Sequence, residues 1–217
     1  MARENISNSY KIAEANACDV LSQVGNFGLN IRDPRCVLVA ANVCLSFSEL
    51  CEASNAIQLL DCGAPALVVL LLRLHIADLY FAYAAVRALC GLSSLHVKLR
   101  EEVGRCDGCR QVVDVLQHHH ANISVVQLAC EAIMHLSLSP SNTAHLSEAG
   151  ACACVVDAFK TKLMENDFGA EVCRYRICSY IYSLHSVRSF YLSLLPIVLP
   201  RLFVHIPNLP LFLFSLS

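Results

Sequence analysis

Apolar residues recur along this chain at the three- and four-residue spacing of amphipathic helices, and the pattern is clearest over residues 55–94. Asn55 begins a short helix that ends at Gly63, and a second helix starts near Pro65. A third helix follows after a break over residues 75–78. The inward positions of the second and third helices are Leu67, Val68, Leu71, Leu72, Ala82, Ala85, Leu89 and Leu92. The stretch therefore predicts a unit of three packed helices.

The same plan recurs three more times. Asn16, Gly63 and Gly150 each end the first helix of a copy, at a position where a left-handed residue is common and where Gly or Asn costs little. An asparagine precedes each by eight residues and is expected to cap the start of that helix: Asn8, Asn55 and Asn142. The second helices align at Leu21, Val68, Val112 and Val155. The third helices align as VLVAANVCLSFS, AYAAVRALCGLS, VQLACEAIMHLS and CRYRICSYIYSL.

Two copies contain irregular stretches. In the first copy, residues 25–28 are interpreted as a loop that is longer than its counterparts. In the third copy, the first helix runs from His96 to Gly104, and residues 105–108 are interpreted as an insertion. The period is roughly 42–48 residues, which is typical of helical solenoids. The predicted repeats are 7–48, 55–94, 96–139 and 142–184, followed by an apolar tail over 185–217.

These patterns resemble the armadillo repeat family over roughly residues 7–184. The resemblance implies an all-α fold, a right-handed α-solenoid of about four three-helix repeats. A HEAT-like or other helical solenoid is the alternative. The fourth copy departs from the family pattern, because Arg174, Tyr175 and Tyr180 stand where small residues are usual. The residues that match best are Asn55, Leu59, Gly63, Ala64, Val68, Leu71, Ala85, Ala88, Leu89, Leu92, Ser93, Asn142, Leu146, Gly150, Ala151, Val155, Val156 and Ala158.

In armadillo proteins the third helices line a concave groove that holds a partner, often an extended peptide. By position, the resemblance implies groove contacts at Asn42, Tyr83, Arg87, Gln127, Glu131, His135, Tyr175 and Ser179. The chain lacks the tryptophans that importin-alpha-like receptors use to stack lysine stems, so basic localisation peptides are not the expected partner. The predicted function is a non-enzymatic scaffold or adaptor that binds a protein, as an extended peptide or a helix, along this groove.

The amino-acid composition limits the classes of partner and the cellular compartment that we expect for this chain. The chain is 56% hydrophobic and 16% charged, with a net charge of −2 and no basic stripe, so we do not expect it to bind nucleic acid. It has 13 cysteines but no apolar segment near the start that would act as a secretory signal. Most of these cysteines occupy small-residue positions of helices, where free thiols pack as small hydrophobes. We therefore expect a reducing compartment, the cytoplasm or the nucleus, and no disulfide framework.

The apolar tail over 185–217 leaves alternatives open. It is long enough to cross a membrane, but it contains four prolines together with Arg201 and His205. It is interpreted as a membrane anchor, as a cap on the solenoid, or as an end without a solenoid pattern. The alternative functions are accordingly a membrane-tethered adaptor or a fragment of a longer armadillo protein.

Candidate chemistry is sparse. Cys106 and Cys109 form a CxxC pair, and His118, His119 and His120 follow, which permits either a small zinc site or an ordinary loop and helix end. No nucleophile elbow, phosphate-binding loop or HExxH sequence occurs. The sequence therefore predicts no enzyme, no cofactor and no metal ligands.

Overall fold

The computed structural model describes residue 8, residues 11–29 and residues 35–164. Within these residues the chain forms ten labelled helices and no strand, which confirms the all-α prediction for this part. Residues 11–14 are also helical, and Ala53–Asn55 form one turn of 3-10 helix. The helices are α1 Ala17–Phe27, α2 Arg35–Glu49, α3 Ala56–Asp61, α4 Ala64–His75, α5 Leu79–Leu95, α6 Val97–Arg105, α7 Gly108–His118, α8 Ile123–Leu136, α9 Pro140–Glu148 and α10 Ala151–Met164.

A left-handed residue separates the first and second helices of every copy. Asn16, Gly63 and Gly150 have φ values of 60°, 72° and 76°, as the sequence predicts. In the third copy the left-handed residue is Asp107, with φ 71°. Helix α6 ends at Arg105 and α7 begins at Gly108, so this turn is as short as the turn at Gly63. The predicted insertion over residues 105–108 is therefore wrong, because Asp107 takes the conformation that Gly provides elsewhere.

The structure corrects the predicted side-chain caps at Asn55 and Asn142. Asn142 is the third residue of α9, and its buried amide donates to the Arg100 carbonyl at 2.9 Å. Asn55 stands at the start of α3, but its amide donates back to the Leu50 carbonyl at 3.1 Å. Both side chains therefore donate to backbone carbonyls instead of capping a helix. The residues that follow Asn8 lie outside the described part of the chain, so the cap at Asn8 stays a prediction.

In the first copy Gly25 lies within helix α1, and Gly28 directly follows its last residue. Helix α1 continues to Phe27, which corrects the predicted loop over residues 25–28. A Cβ on Gly25 would lie 2.6 Å from Leu67 Cδ2, and one on Gly28 would lie 2.7 Å from the Ala40 Cβ. These glycines permit close approach between helices.

Two third helices begin at side-chain caps. Asp78 Oδ1 accepts a hydrogen bond from the Phe81 amide at 2.7 Å at the start of α5. Asn122 Oδ1 accepts from the Val125 amide at 3.1 Å at the start of α8. Each bond satisfies one of the four amide donors that a helix start leaves without an intrahelical partner.

Replacing Asn122 by alanine is expected to lower the free energy of unfolding by about 1 kcal/mol, because this cap is lost. Urea denaturation followed by circular dichroism measures the change. Ser124→Ala is the control, since Ser124 lies exposed in the first turn of the same helix. Equal losses in both variants would show that the Asn122 side chain contributes nothing as a cap.

The core follows the third helices. Helix α5 packs between α2 and α8, and these two contacts are the most extensive between helices. Ala82, Ala84, Ala85 and Ala88 of α5 are completely buried. Small side chains at these positions let three helices stack closely side by side, so that each repeat buries its apolar face against its neighbours.

Histidines link successive copies at equivalent positions. His75 ends α4, and its Nε2 lies 2.7 Å from the Gly28 carbonyl oxygen after α1. His119 follows α7, and its Nε2 lies 2.7 Å from the Ile76 carbonyl oxygen after α4. Each histidine thus bonds a carbonyl at the end of the preceding second helix, which a helix terminus would otherwise leave unsatisfied.

Among the described residues no single helix is long and apolar enough to cross a membrane. Helix α2 and the segment Ala53–Asp61 reach the required length and hydropathy only together, and they are bent by 113° at the break between them. The tail over 185–217 lies outside the described residues, as does the third helix of the fourth copy.

Candidate functional site

The candidate site is the surface of α2, α5 and α8, which we call the third-helix face. It is defined by six of the residues that the sequence suggests as partner contacts: Asn42, Tyr83, Arg87, Gln127, Glu131 and His135. Tyr83 and Arg87 are four residues apart on α5 and therefore share one side of that helix. Gln127, Glu131 and His135 follow the same four-residue spacing on α8 and share one side of it. None of the six is buried, and Asn42 and Arg87 are exposed. Tyr175 and Ser179 lie outside the described residues.

An ion pair joins the first two third helices across this face. Arg87 Nη2 donates to Glu49 Oε1 at 2.9 Å. A hydrogen bond with Tyr83, and to a smaller extent the Glu49 charge, raise the pKa of Arg87 above its ordinary value. Sequence reasoning missed Glu49, although its position seven residues after Asn42 places both on one side of α2. The basic residue of the face is therefore paired with a carboxylate.

A second polar cluster lies between α5 and α8. His135 Nε2 is 3.9 Å from Glu131 Oε1 on the same helix. The Cys90 thiol of α5 completes the group, and the three candidate ligand atoms all lie within 4.8 Å of one another. The side chains of His135 and Glu131 are 20% and 32% exposed, so the cluster is accessible from the third-helix face. Sequence reasoning identified Glu131 and His135 but missed Cys90.

The CxxC pair and the histidines after it do not form one site. Cys106 Sγ donates to Glu102 Oε1 at 3.4 Å, whereas the buried Cys109 Sγ points to the Asn142 carbonyl at 3.9 Å. Nine residues of helix separate Cys109 from His118, which is about 14 Å at 1.5 Å per residue. The zinc interpretation of these residues is therefore not supported by their geometry.

Burial makes several thiols unreactive. It raises the pKa of Cys44, Cys51 and Cys109 to about 12 in each case. Only the thiolate acts as a nucleophile, so these three cysteines are almost entirely protonated at neutral pH. They serve as small core residues, the role that the sequence predicts for Cys44.

Comparison with known proteins gives the fold. No family model matches the chain, and no curated protein matches it. Among solved structures it is similar to a designed armadillo repeat protein in complex with the peptide (KR)4, with a TM-score of 0.63 and 17% identity over 81% of this chain and 68% of the other.

Two engineered proteins are also similar. One has a TM-score of 0.63 and 20% identity, over 82% of this chain and 67% of that one. The other has a TM-score of 0.61 and 17% identity, over 82% of this chain and 85% of that one. At such low identity the likeness shows the fold alone. The chain has an armadillo-like repeat fold, which confirms the predicted solenoid class, and this fold is typical of protein-binding scaffolds.

Proposed function

We propose that this chain is a non-enzymatic scaffold that binds an extended segment of a partner protein along the third-helix face. The observation that carries the proposal is the side-by-side stacking of α2, α5 and α8, which presents polar and aromatic side chains from successive repeats on one surface. A peptide that runs across these helices would meet one row of side chains per repeat. We further propose that it works in the cytoplasm or the nucleus.

The fold supports the proposal by analogy. The similar designed armadillo protein is in complex with a peptide, so a solenoid of this type can hold one. That peptide is (KR)4, and the third-helix face differs from a surface suited to such a sequence. It carries both Arg87 and Glu131, and Arg87 is already paired with Glu49. A partner segment of mixed charge therefore fits better than a purely basic one.

Tyr83 and Arg87 are the residues expected to contribute most to binding. Tyrosine and arginine are enriched among the few interface residues that carry most of the binding energy. Tyr83 is partly buried against the core, which holds its ring in place, and Arg87 is exposed one turn further along α5. Both belong to the central third helix of the described solenoid.

The double variant Tyr83→Ala, Arg87→Glu is expected to weaken partner binding at least about tenfold, a typical loss at such positions. Proteins that bind immobilised wild-type chain, and not the variant, are identified by mass spectrometry. Their segments are then synthesised, and their dissociation constants with purified protein are measured by fluorescence anisotropy. The (KR)4 peptide is measured in parallel and is expected to bind more weakly than the identified segment.

Arg73→Glu is the matched control for the charge reversal in the double variant. Arg73 lies exposed on the second helix α4, away from the third-helix face, and its reversal changes the net charge as Arg87→Glu does. This variant is expected to bind like wild type. Loss of the exposed Arg87–Glu49 pair changes stability by only about 0–1 kcal/mol. Circular dichroism of the double variant checks that removal of the partly buried Tyr83 ring also leaves the helical signal intact. Equal binding by the double variant and wild type would refute the third-helix face as the binding surface.

A further inference from the structure

We infer that Cys90, Glu131 and His135 form a zinc site between the second and third repeats. The site goes beyond the proposed scaffold function, because neither its ligands nor its test depend on a bound partner. Glu131 and His135 are four residues apart on α8 and share one side of that helix, and Cys90 reaches them from the neighbouring helix α5. The two helices are packed along their length, so the ligands come from rigid elements.

The distances are close to those that a zinc ion requires. Zinc binds sulfur at about 2.3 Å and nitrogen or oxygen at about 2.0–2.2 Å, so tetrahedral ligand atoms lie roughly 3.3–3.7 Å apart. The three atoms here lie within 4.8 Å of one another, and His135 Nε2 and Glu131 Oε1 are 3.9 Å apart. Closing the remaining difference requires movement of the Glu131 and His135 side chains, which are both partly exposed.

The chemical types of the three ligands determine which metal ion the site prefers. A thiolate and an imidazole favour zinc over magnesium or calcium, which prefer oxygen ligands. One thiolate and one carboxylate balance the two positive charges of the ion. Three protein ligands leave the fourth tetrahedral position to water, an arrangement typical of open zinc sites. The nearby Cys51 thiol donates to the Phe47 carbonyl at 3.2 Å and is not part of the set.

The repeats offer an internal comparison. The position of Cys90 is taken by Leu45 in the preceding repeat and by Met134 in the following one, and both pack against the core. The positions of Glu131 and His135 are taken by Arg87 and Gly91 in the preceding repeat. The junction of α2 and α5 therefore holds an ion pair, whereas the junction of α5 and α8 combines three metal ligands. This combination is confined to one junction of the described solenoid.

Zinc binding by the full chain, purified without a histidine tag and stripped with a chelator, tests the inference. Competition with a chromophoric chelator is expected to give one zinc ion per chain. Cobalt substituted for zinc is expected to show a thiolate-to-metal charge-transfer band, which requires a cysteine ligand. Cys90→Ser should abolish that band. Glu131→Gln and His135→Asn should each weaken zinc binding at least about tenfold, because replacing even a residue that only hydrogen-bonds to a metal ligand lowers the affinity by that factor.

Cys106→Ser is the matched control, because it removes a partly exposed thiol of the CxxC pair. It should leave the stoichiometry, affinity and cobalt spectrum unchanged. No zinc binding, or a cobalt band that survives Cys90→Ser, would overturn the inference. Zinc binding that is lost in Cys106→Ser and kept in His135→Asn would also overturn it.

Glu131→Gln and His135→Asn change partly exposed residues, so they remain informative if Cys90→Ser misfolds. The Tyr83 and Arg87 variant touches no ligand, so a failure of partner binding does not affect this result.

Discussion

Phe81→Ala is expected to lower the free energy of unfolding by about 3–5 kcal/mol, the usual cost of removing a buried aromatic ring. The Phe81 side chain is completely buried at the start of α5, which packs against α2 and α8, the other third helices among the described residues. Its ring meets His75 edge-on, with ring centroids 5.4 Å apart. The substitution therefore leaves a cavity and also removes the support of a histidine that bonds to the preceding repeat. Urea denaturation of the full chain measures the loss.

Tyr80→Ala is the matched control for this prediction. Tyr80 is the neighbouring aromatic residue on the same turn, but it is 51% exposed. Its loss should change stability by no more than about 0.5 kcal/mol, as expected for a surface position. Similar losses in both variants would show that burial at Phe81 does not decide its contribution.

A double-mutant cycle separates the ring contact from the cavity. If Phe81 orients His75, then Phe81→Ala and His75→Ala together cost less than the sum of the two single changes. A contact of this type is expected to give a coupling of about 0.5–1.5 kcal/mol. Strict additivity would mean that His75 keeps its bond to the Gly28 carbonyl without the ring.

The helix order was predictable because it follows local rules. Helical periodicity defines α4 and α5, and the residues that tolerate a left-handed conformation identify the turns at Asn16, Gly63 and Gly150. Asp107 was missed because aspartate has a Cβ and adopts this conformation less readily than glycine. The sequence pattern instead predicts a helix stop at Gly104 and an insertion over residues 105–108. In the structure, Gly104 and Gly108 are both positions of close packing. A Cβ on Gly108 would lie 2.6 Å from the Val103 carbonyl oxygen.

The candidate site was predictable in part. Arg87 and Glu131 are implied as contacts by the armadillo resemblance, because aligned positions of the third helices line the groove in that family. The contact between Cys90 and His135 depends on how far α8 is offset along α5, and no single-helix pattern contains that offset. For the same reason the bonds from His75 and His119 to the preceding repeat could not be read from the sequence, where both resemble ordinary helix ends.

Gly104→Ala is expected to lower the free energy of unfolding by about 2–4 kcal/mol, although Gly104 lies within α6 and alanine is the better helix former. A Cβ at this position would overlap the side-chain amide of Asn142. That amide is buried and donates to the Arg100 carbonyl, which joins the first helices of the third and fourth repeats. The substitution must therefore displace Asn142, which combines overpacking with the loss of a buried hydrogen bond.

The Asn142→Ala background distinguishes this cause from a local effect on α6. The three nearest atoms to the added Cβ all belong to the Asn142 side chain, and alanine at position 142 removes them. Gly104→Ala should then cost almost nothing, or even stabilise the chain by about 0.5–1 kcal/mol through its helix propensity. Urea denaturation of the four proteins gives the coupling directly. An equal cost of Gly104→Ala in both backgrounds would mean that α6 itself requires glycine, whereas a change of sign would show that the glycine exists to admit the asparagine of the next repeat.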